Sequence, residues 1–164
     1  MTLTVASGGY FLGRGDGEAL WFSGGLLTYK ATGEQTNGLL ALAEVRAPQG
    51  TGSPPHRHHH EDEAWYVIDG ELTFWLGDTE RTAGAGSFVF GPRGVAHRFE
   101  VTSSEARFLI LVTPAGFEHF TRVCGDRATA LTFPPPNLPA KDTDALVEAA
   151  RVHGLEILEP GLER

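Results

Sequence analysis

Apolar residues fall at every second position through much of this chain, in short runs broken by glycine and proline. That period belongs to half-buried strands. Residues 63–68 and 71–76 are the clearest case, with Asp69-Gly70 between them in the form of a two-residue type I′ turn. This hairpin reading pairs Ile68 with Glu71, Val67 with Leu72, Trp65 with Phe74 and Glu63 with Leu76. Glu63 then shares a face with apolar side chains alone. A carboxylate buried there without a partner would be costly, and a metal cation removes the cost.

The alternation recurs on both sides of this segment. Residues 19–22 and 26–31 read as two strands around a Gly24-Gly25 turn, and 39–47 as a strand ending at Pro48. Pro54-Pro55 keeps the backbone extended, so His56 and His58 emerge on one face. Gly77-Asp78 and the glycines at 84 and 86 bound further short strands, and 88–90 leads into a turn at 91–94. Val95, His97, Phe99 and Val101 share one face, with Arg98 and Glu100 on the other, and 108–112 is a last clear strand.

After Pro114 the period lengthens. Phe117, Phe120 and Val123 have helical spacing, and Gly125 stops the helix. Phe133-Pro-Pro-Pro-Asn-Leu-Pro is an extended linker, read as a strap over the barrel. Asp142 or Thr143 caps a helix that runs to about Val152, with Leu146, Val147 and Ala150 on one side and Gly154 at its end. Residues 155–158 add a short strand. The expected fold is therefore all-β, an antiparallel β-barrel or jelly roll with short C-terminal helices. It is one domain over 1–164, with the barrel at about 19–113 and a helical, proline-rich tail at about 114–164.

Composition narrows the partners. The net charge is −8 with no basic cluster, which argues against nucleic acid. No 18-residue apolar run exists, and the N-terminus MTLTVASGGY lacks a charged stretch followed by an apolar one, so neither a membrane span nor a signal peptide is expected. One cysteine, Cys124, forbids an internal disulfide and fits a reducing cytoplasm; it reads as a buried structural thiol.

The chemistry concentrates in GTGSPPHRHHHEDEAWYVIDG at 50–70 and GSFVFGPRGVAH at 86–97. His56, His58 and Glu63, joined by His97 from a later strand, make a donor set for a first-row divalent ion with positions left open for a ligand. Four of the seven histidines lie in 56–60, so His58 with His60 would also fit a His-x-His template. Glu63, the flanking glycines and His97 jointly select the register at His56. His119 reads as a surface or boundary residue, and His59 and His60 are not expected to be needed for metal binding.

These residues resemble the two motifs of the cupin superfamily. Gly50, His56, His58, Glu63 and Gly70 fall on Gly-x5-His-x-His-x4-Glu-x6-Gly. Gly86, Pro92, Gly94 and His97 fall on Gly-x5-Pro-x-Gly-x2-His-x3-Asn, with Val101 in place of the final Asn, which is not a ligand in the family pattern. Each motif occurs once, as in a monocupin. From about Trp21 onward, including KATGEQT at 30–36 and EAWYVIDGELTFWLG at 63–77, the chain is similar to bacterial quercetinase-like monocupins. That resemblance implies a dioxygenase holding one divalent ion per chain, whether iron, nickel, cobalt, manganese, copper or zinc. Glu63 would both touch the metal and take the 3-hydroxyl proton of a flavonol, whose ring O₂ opens with loss of carbon monoxide. Trp65, Phe74, Phe99 and Val101 are the expected pocket for an aromatic small molecule. Two other readings stand beside it: a metal-dependent isomerase, cyclase or lyase without O₂ chemistry, and a non-catalytic binding barrel. A homodimer is expected through an outer apolar strip of Ala64, Tyr66, Ile68 and Trp75.

Overall fold

The structure, a computed structural model, describes residues 8–159. The expected signal-peptide-free N-terminus lies partly outside them. In chain order the elements are β1 (Glu18–Phe22), β2 (Gly25–Ala31), α1 (Gly33–Thr36), β3 (Ala41–Pro48), β4 (His56–His58), β5 (Asp62–Asp69), β6 (Glu71–Leu76), β7 (Thr79–Gly84), β8 (Phe88–Gly91), β9 (His97–Val101), β10 (Glu105–Thr113), α2 (Phe117–Cys124), β11 (Asp126–Arg127), α3 (Thr143–Val152) and β12 (Leu155–Ile157).

Two antiparallel sheets form a jelly roll, in the orders β11-β1-β2-β3-β10-β5-β8 and β12-β4-β9-β6-β7. Hydrogen bonding does not close them into one barrel; the inner faces enclose the core instead. Trp65, Val67, Leu72, Val101, Phe108 and Val112 are each under 2 % exposed there. Strands β3 and β10 show strict alternation of buried and half-buried positions, as the sequence pattern requires.

The expected hairpin at Asp69-Gly70 does not form. Strand β5 pairs with β10 and β8, while β6 pairs with β9 and β7, so the chain changes sheet at this corner. Only Gly70 separates the two strands, and it adopts φ +79° against the backbone of Glu105 and Ala106, where no Cβ would fit. The Glu71 amide donates to the Ser103 hydroxyl at 2.8 Å, and Ser103 donates on to the Glu105 carbonyl at 2.7 Å. The backbone at the corner is thus satisfied without a hairpin ladder. Trp65 and Val67 still share the interior with Leu72 and Phe74, but across the core rather than side by side; the Trp65 and Phe74 rings are 5.3 Å apart.

The first hairpin turns one residue earlier than expected. Ser23 and Gly24 take positive φ, and Gly25 enters β2 opposite Phe22. The outer strip is split between sheets. Tyr66 is exposed beside Phe88, on the seven-stranded sheet, whereas Ala64 is buried. Trp75 lies in the other sheet with the Arg98 guanidinium 3.6 Å above its ring. Asp142 caps α3 by accepting from the Ala145 amide at 2.8 Å. Strand β12, although far along the chain, pairs with β4: Leu155 faces His58 and Ile157 faces His56. Among the described residues no helix is long and apolar enough to cross a membrane.

Candidate metal centre

Four side chains from both sheets meet at one point. Strand β4 carries His56 and His58 inward, with Arg57 pointing away, by simple alternation. Strand β9 places His97 directly opposite His56. Glu63 arrives from β5 in the other sheet. The loop that delivers His97 is anchored at two adjacent residues: the Gly94 amide donates to the His58 carbonyl at 2.7 Å, and Arg93 forms a bidentate pair with Asp62.

The geometry is that of a donor cluster. His56, His58, Glu63 and His97 are all buried, and one ligand atom from each lies within 4.8 Å of the others. Glu63 Oε2 is 2.9 Å from His58 Nε2, 3.1 Å from His97 Nε2 and 3.9 Å from His56 Nε2. The far nitrogens of two rings are engaged: His56 Nδ1 lies 2.9 Å from the Pro54 carbonyl, and His97 Nδ1 lies 2.9 Å from the Val95 carbonyl. A carbonyl oxygen can only accept, so each Nδ1 carries the proton and donates it. In the neutral rings, the Nε2 lone pairs then point at a carboxylate oxygen. Lone pairs facing an anion need a cation between them, and a divalent ion suits three imidazoles and one carboxylate. The residues present fit a metal.

Burial alone would raise the Glu63 carboxyl, yet the imidazoles of His56, His58 and His97 around it, when protonated, hold it well below the usual carboxylate range. Burial likewise lowers His56. It acts the same way on His58, but the carboxyl groups of Glu61 and Glu63, 3.4 Å and 2.9 Å from its two nitrogens, outweigh it and raise that imidazole to about 9.

A cavity of about 460 Å³ opens beside the cluster, within the usual range of small-molecule sites. Of the four donors, His56 and Glu63 line it. Its other walls are mostly apolar: Phe22 and Leu27 from the first hairpin, Phe117 and Phe120 from α2, Leu146 from α3, and Phe99. The proline strap contributes Pro134 and Pro139. Lys141 also lines the cavity, paired with Asp126 at 2.8 Å.

Of the four expected pocket residues, Phe99 lines this cavity and Trp65, Phe74 and Val101 do not. Trp65 stands edge-on to His97 at 5.3 Å, behind the donors. Phe74 packs between Trp65 and Phe99, and Val101 is fully buried core. The reason is that these side chains fill the packed layer between the sheets, whereas the cavity opens on the other side of the donors. The sequence reading passed over the real walls because they come from the first hairpin and the tail, remote from the motifs. It also passed over Glu61, which is buried beside His58. Parity could have found it: in Glu61-Asp62-Glu63 the outer two share a face, and the structure buries them alone. Cys124 is buried, free and in the cavity wall, while His59, His60 and His119 are exposed.

Residues 43–114 match the family model described as the cupin domain. The chain is 26% identical over 151 residues to a quercetin 2,3-dioxygenase of Bacillus subtilis (strain 168), covering 92% of this chain and 44% of that protein. It is 27% identical over 117 residues to the quercetin 2,3-dioxygenase of Aspergillus japonicus, covering 67% of this chain and 33% of that protein. The chain thus spans less than half the length of either relative. Among solved structures, KdgF from Halomonas sp. superposes with a TM-score of 0.60 at 19% identity, covering 68% of this chain and 98% of that one, a likeness of fold.

Proposed function

The chain carries a cupin domain and is quercetinase-like in sequence, and on that premise we propose a metal-dependent dioxygenase opening an enolisable, aromatic small molecule with O₂. One observation carries the reading: the buried donor cluster meets a largely apolar cavity at His56 and Glu63. His56, His58, His97 and Glu63 would hold one divalent first-row ion. Such an ion supplies Lewis-acid stabilisation of a substrate oxyanion and, if redox-active, a route for electrons to O₂.

The chain's own residues do the rest. Phe22, Phe99, Phe117 and Phe120 offer ring faces and edges to a flat substrate, and exclude water around it. The substrate's acidic hydroxyl is thereby directed toward the polar part of the wall. Glu63 is held as a carboxylate by its imidazole neighbours, so it is in the form needed to accept that proton. Removing the proton makes the electron-rich anion that O₂ attacks.

Oxygen consumption on adding a flavonol to metal-loaded protein tests the reading directly. Uptake matched to ring-opened product is expected; substrate turnover without uptake would indicate an isomerase, cyclase or lyase, and binding without turnover a non-catalytic barrel. Glu63→Gln keeps a coordinating oxygen but loses basicity, and should cost on the order of 10²-fold in turnover while much of the metal is retained. Wild-type turnover in that variant would make the carboxylate a ligand only.

A further inference from the structure

The three imidazoles are not held alike. His56 and His97 each donate Nδ1–H to a backbone carbonyl two residues earlier, at 2.9 Å in both cases. These are local, neutral partners that any residue at 54 or 95 could supply. His58 has no such carbonyl. Its Nδ1 instead faces Glu61 Oε2 at 3.4 Å.

Glu61 is itself unusual. It is 4 % exposed, and neither its Oε2 nor the His58 Nδ1 that faces it has any other hydrogen-bond partner. Its other oxygen lies against Gly116, where an added Cβ would come within 2.8 Å. Gly116 N-caps α2, whose first residue, Phe117, packs edge-on to the His58 ring at 5.5 Å. A carboxylate buried this deeply needs a donor. With His58 Nε2 turned to the donor cluster, the Nδ1–H is the donor the geometry provides.

We propose that Glu61 is a positioning residue for the metal centre: it accepts the Nδ1–H of His58, fixes that ring's tautomer and makes His58 the strongest imidazole donor of the three. A carboxylate behind a ligating histidine raises the basicity of the ligating nitrogen beyond what a carbonyl does. The site would thus contain one charge-reinforced imidazole, on the strand that β12 also grips. The inference rests on the cluster holding a metal, but not on the reaction or on O₂.

The test is metal binding. Co²⁺ is titrated into full-length wild-type, Glu61→Gln and Glu61→Ala protein against a chelator of known affinity, and the visible absorption bands of bound Co²⁺ are recorded. Glu61→Gln keeps an oxygen that can accept from Nδ1–H and removes only the charge. Affinity should fall in the order wild type, Gln, Ala, by about 10- to 100-fold overall, with a shifted Co²⁺ spectrum in both variants. A purely structural role would lower the melting temperature and leave the affinity and spectrum of Glu61→Gln unchanged, which would overturn the inference while leaving the metal site intact. Wild-type protein that takes up no Co²⁺ would overturn both. Should Glu61→Ala fail to fold, the Gln variant decides alone.

Discussion

The two walls of the cavity are built on different principles. The donor wall comes from β4, β5 and β9, in which backbone pairing places each side chain and a second oxygen or carboxylate fixes each imidazole. The opposite wall comes from the first hairpin, itself in ladder register with β3, and from α2, the proline strap and α3, which are held over it largely by side-chain packing. Phe22 meets Phe117 and Phe120 edge-on at 6.4 Å and 5.8 Å. On α3, Val147 is 44% exposed although it lines the cavity. A metal demands donor placement to a few tenths of an ångström, which strands in register provide. An apolar substrate demands only shape and dryness, which a tail can provide and vary. On the proposed function, chemistry and selectivity are carried by separable parts of the chain.

The sharpest way to break that separation is at the donor wall. His58→Ala or His97→Ala should abolish stable metal uptake, measured as metal per chain after dialysis. At ion concentrations 100-fold above the dissociation constant, about 2.7 kcal/mol of metal-linked stability would go with it. The melting temperature of either variant should then no longer respond to a chelator, whereas that of the loaded wild type falls. Full occupancy in both variants would remove these residues from the site.

The tail wall should respond in the other coordinate. Leu146→Ala trims a half-buried side chain from α3, costing about 1 kcal/mol of apolar contact. The expected result is a several-fold rise in KM for an aromatic substrate, with metal content and kcat near those of the wild type. A drop in metal content instead would show that the two walls are coupled, through the pairing of β12 with β4.

The smallest effect is expected beside the ligands themselves. His59 lies in the same histidine run, yet it is exposed and faces Glu156 at 3.4 Å, outside the cluster. His59→Ala and His60→Ala should leave metal per chain nearly unchanged. Loss of the metal in either would shift the donor register by one or two residues and contradict the geometry.

How much of this was legible before the structure differs from residue to residue. His56 and His58 share a face because they are two apart in an extended segment behind Pro54-Pro55, a local fact. Glu63 was marked by being the one carboxylate among apolar positions of its parity. The α3 cap at Asp142 and the stop at Gly154 were equally local. Trp65, Phe74 and Val101 carried the right apolar signal, but nothing in that signal distinguishes core from cavity wall.

What the sequence determined by itself is the alternation, and hence which side chains go inside, because side-chain direction along a strand depends only on parity. It could not decide which strand each one faces. Parity survives both a hairpin and a change of sheet at Gly70, so Glu63, Trp65, Val67, Leu72 and Phe74 turn inward either way. The choice fell to contacts remote in sequence: Ser103 and Glu105 at the corner, Phe117 and Phe120 over the cavity, and β12 closing on β4. Those contacts set the position of the apolar wall and the pairing of Glu61 with His58, and only the folded chain brings them together.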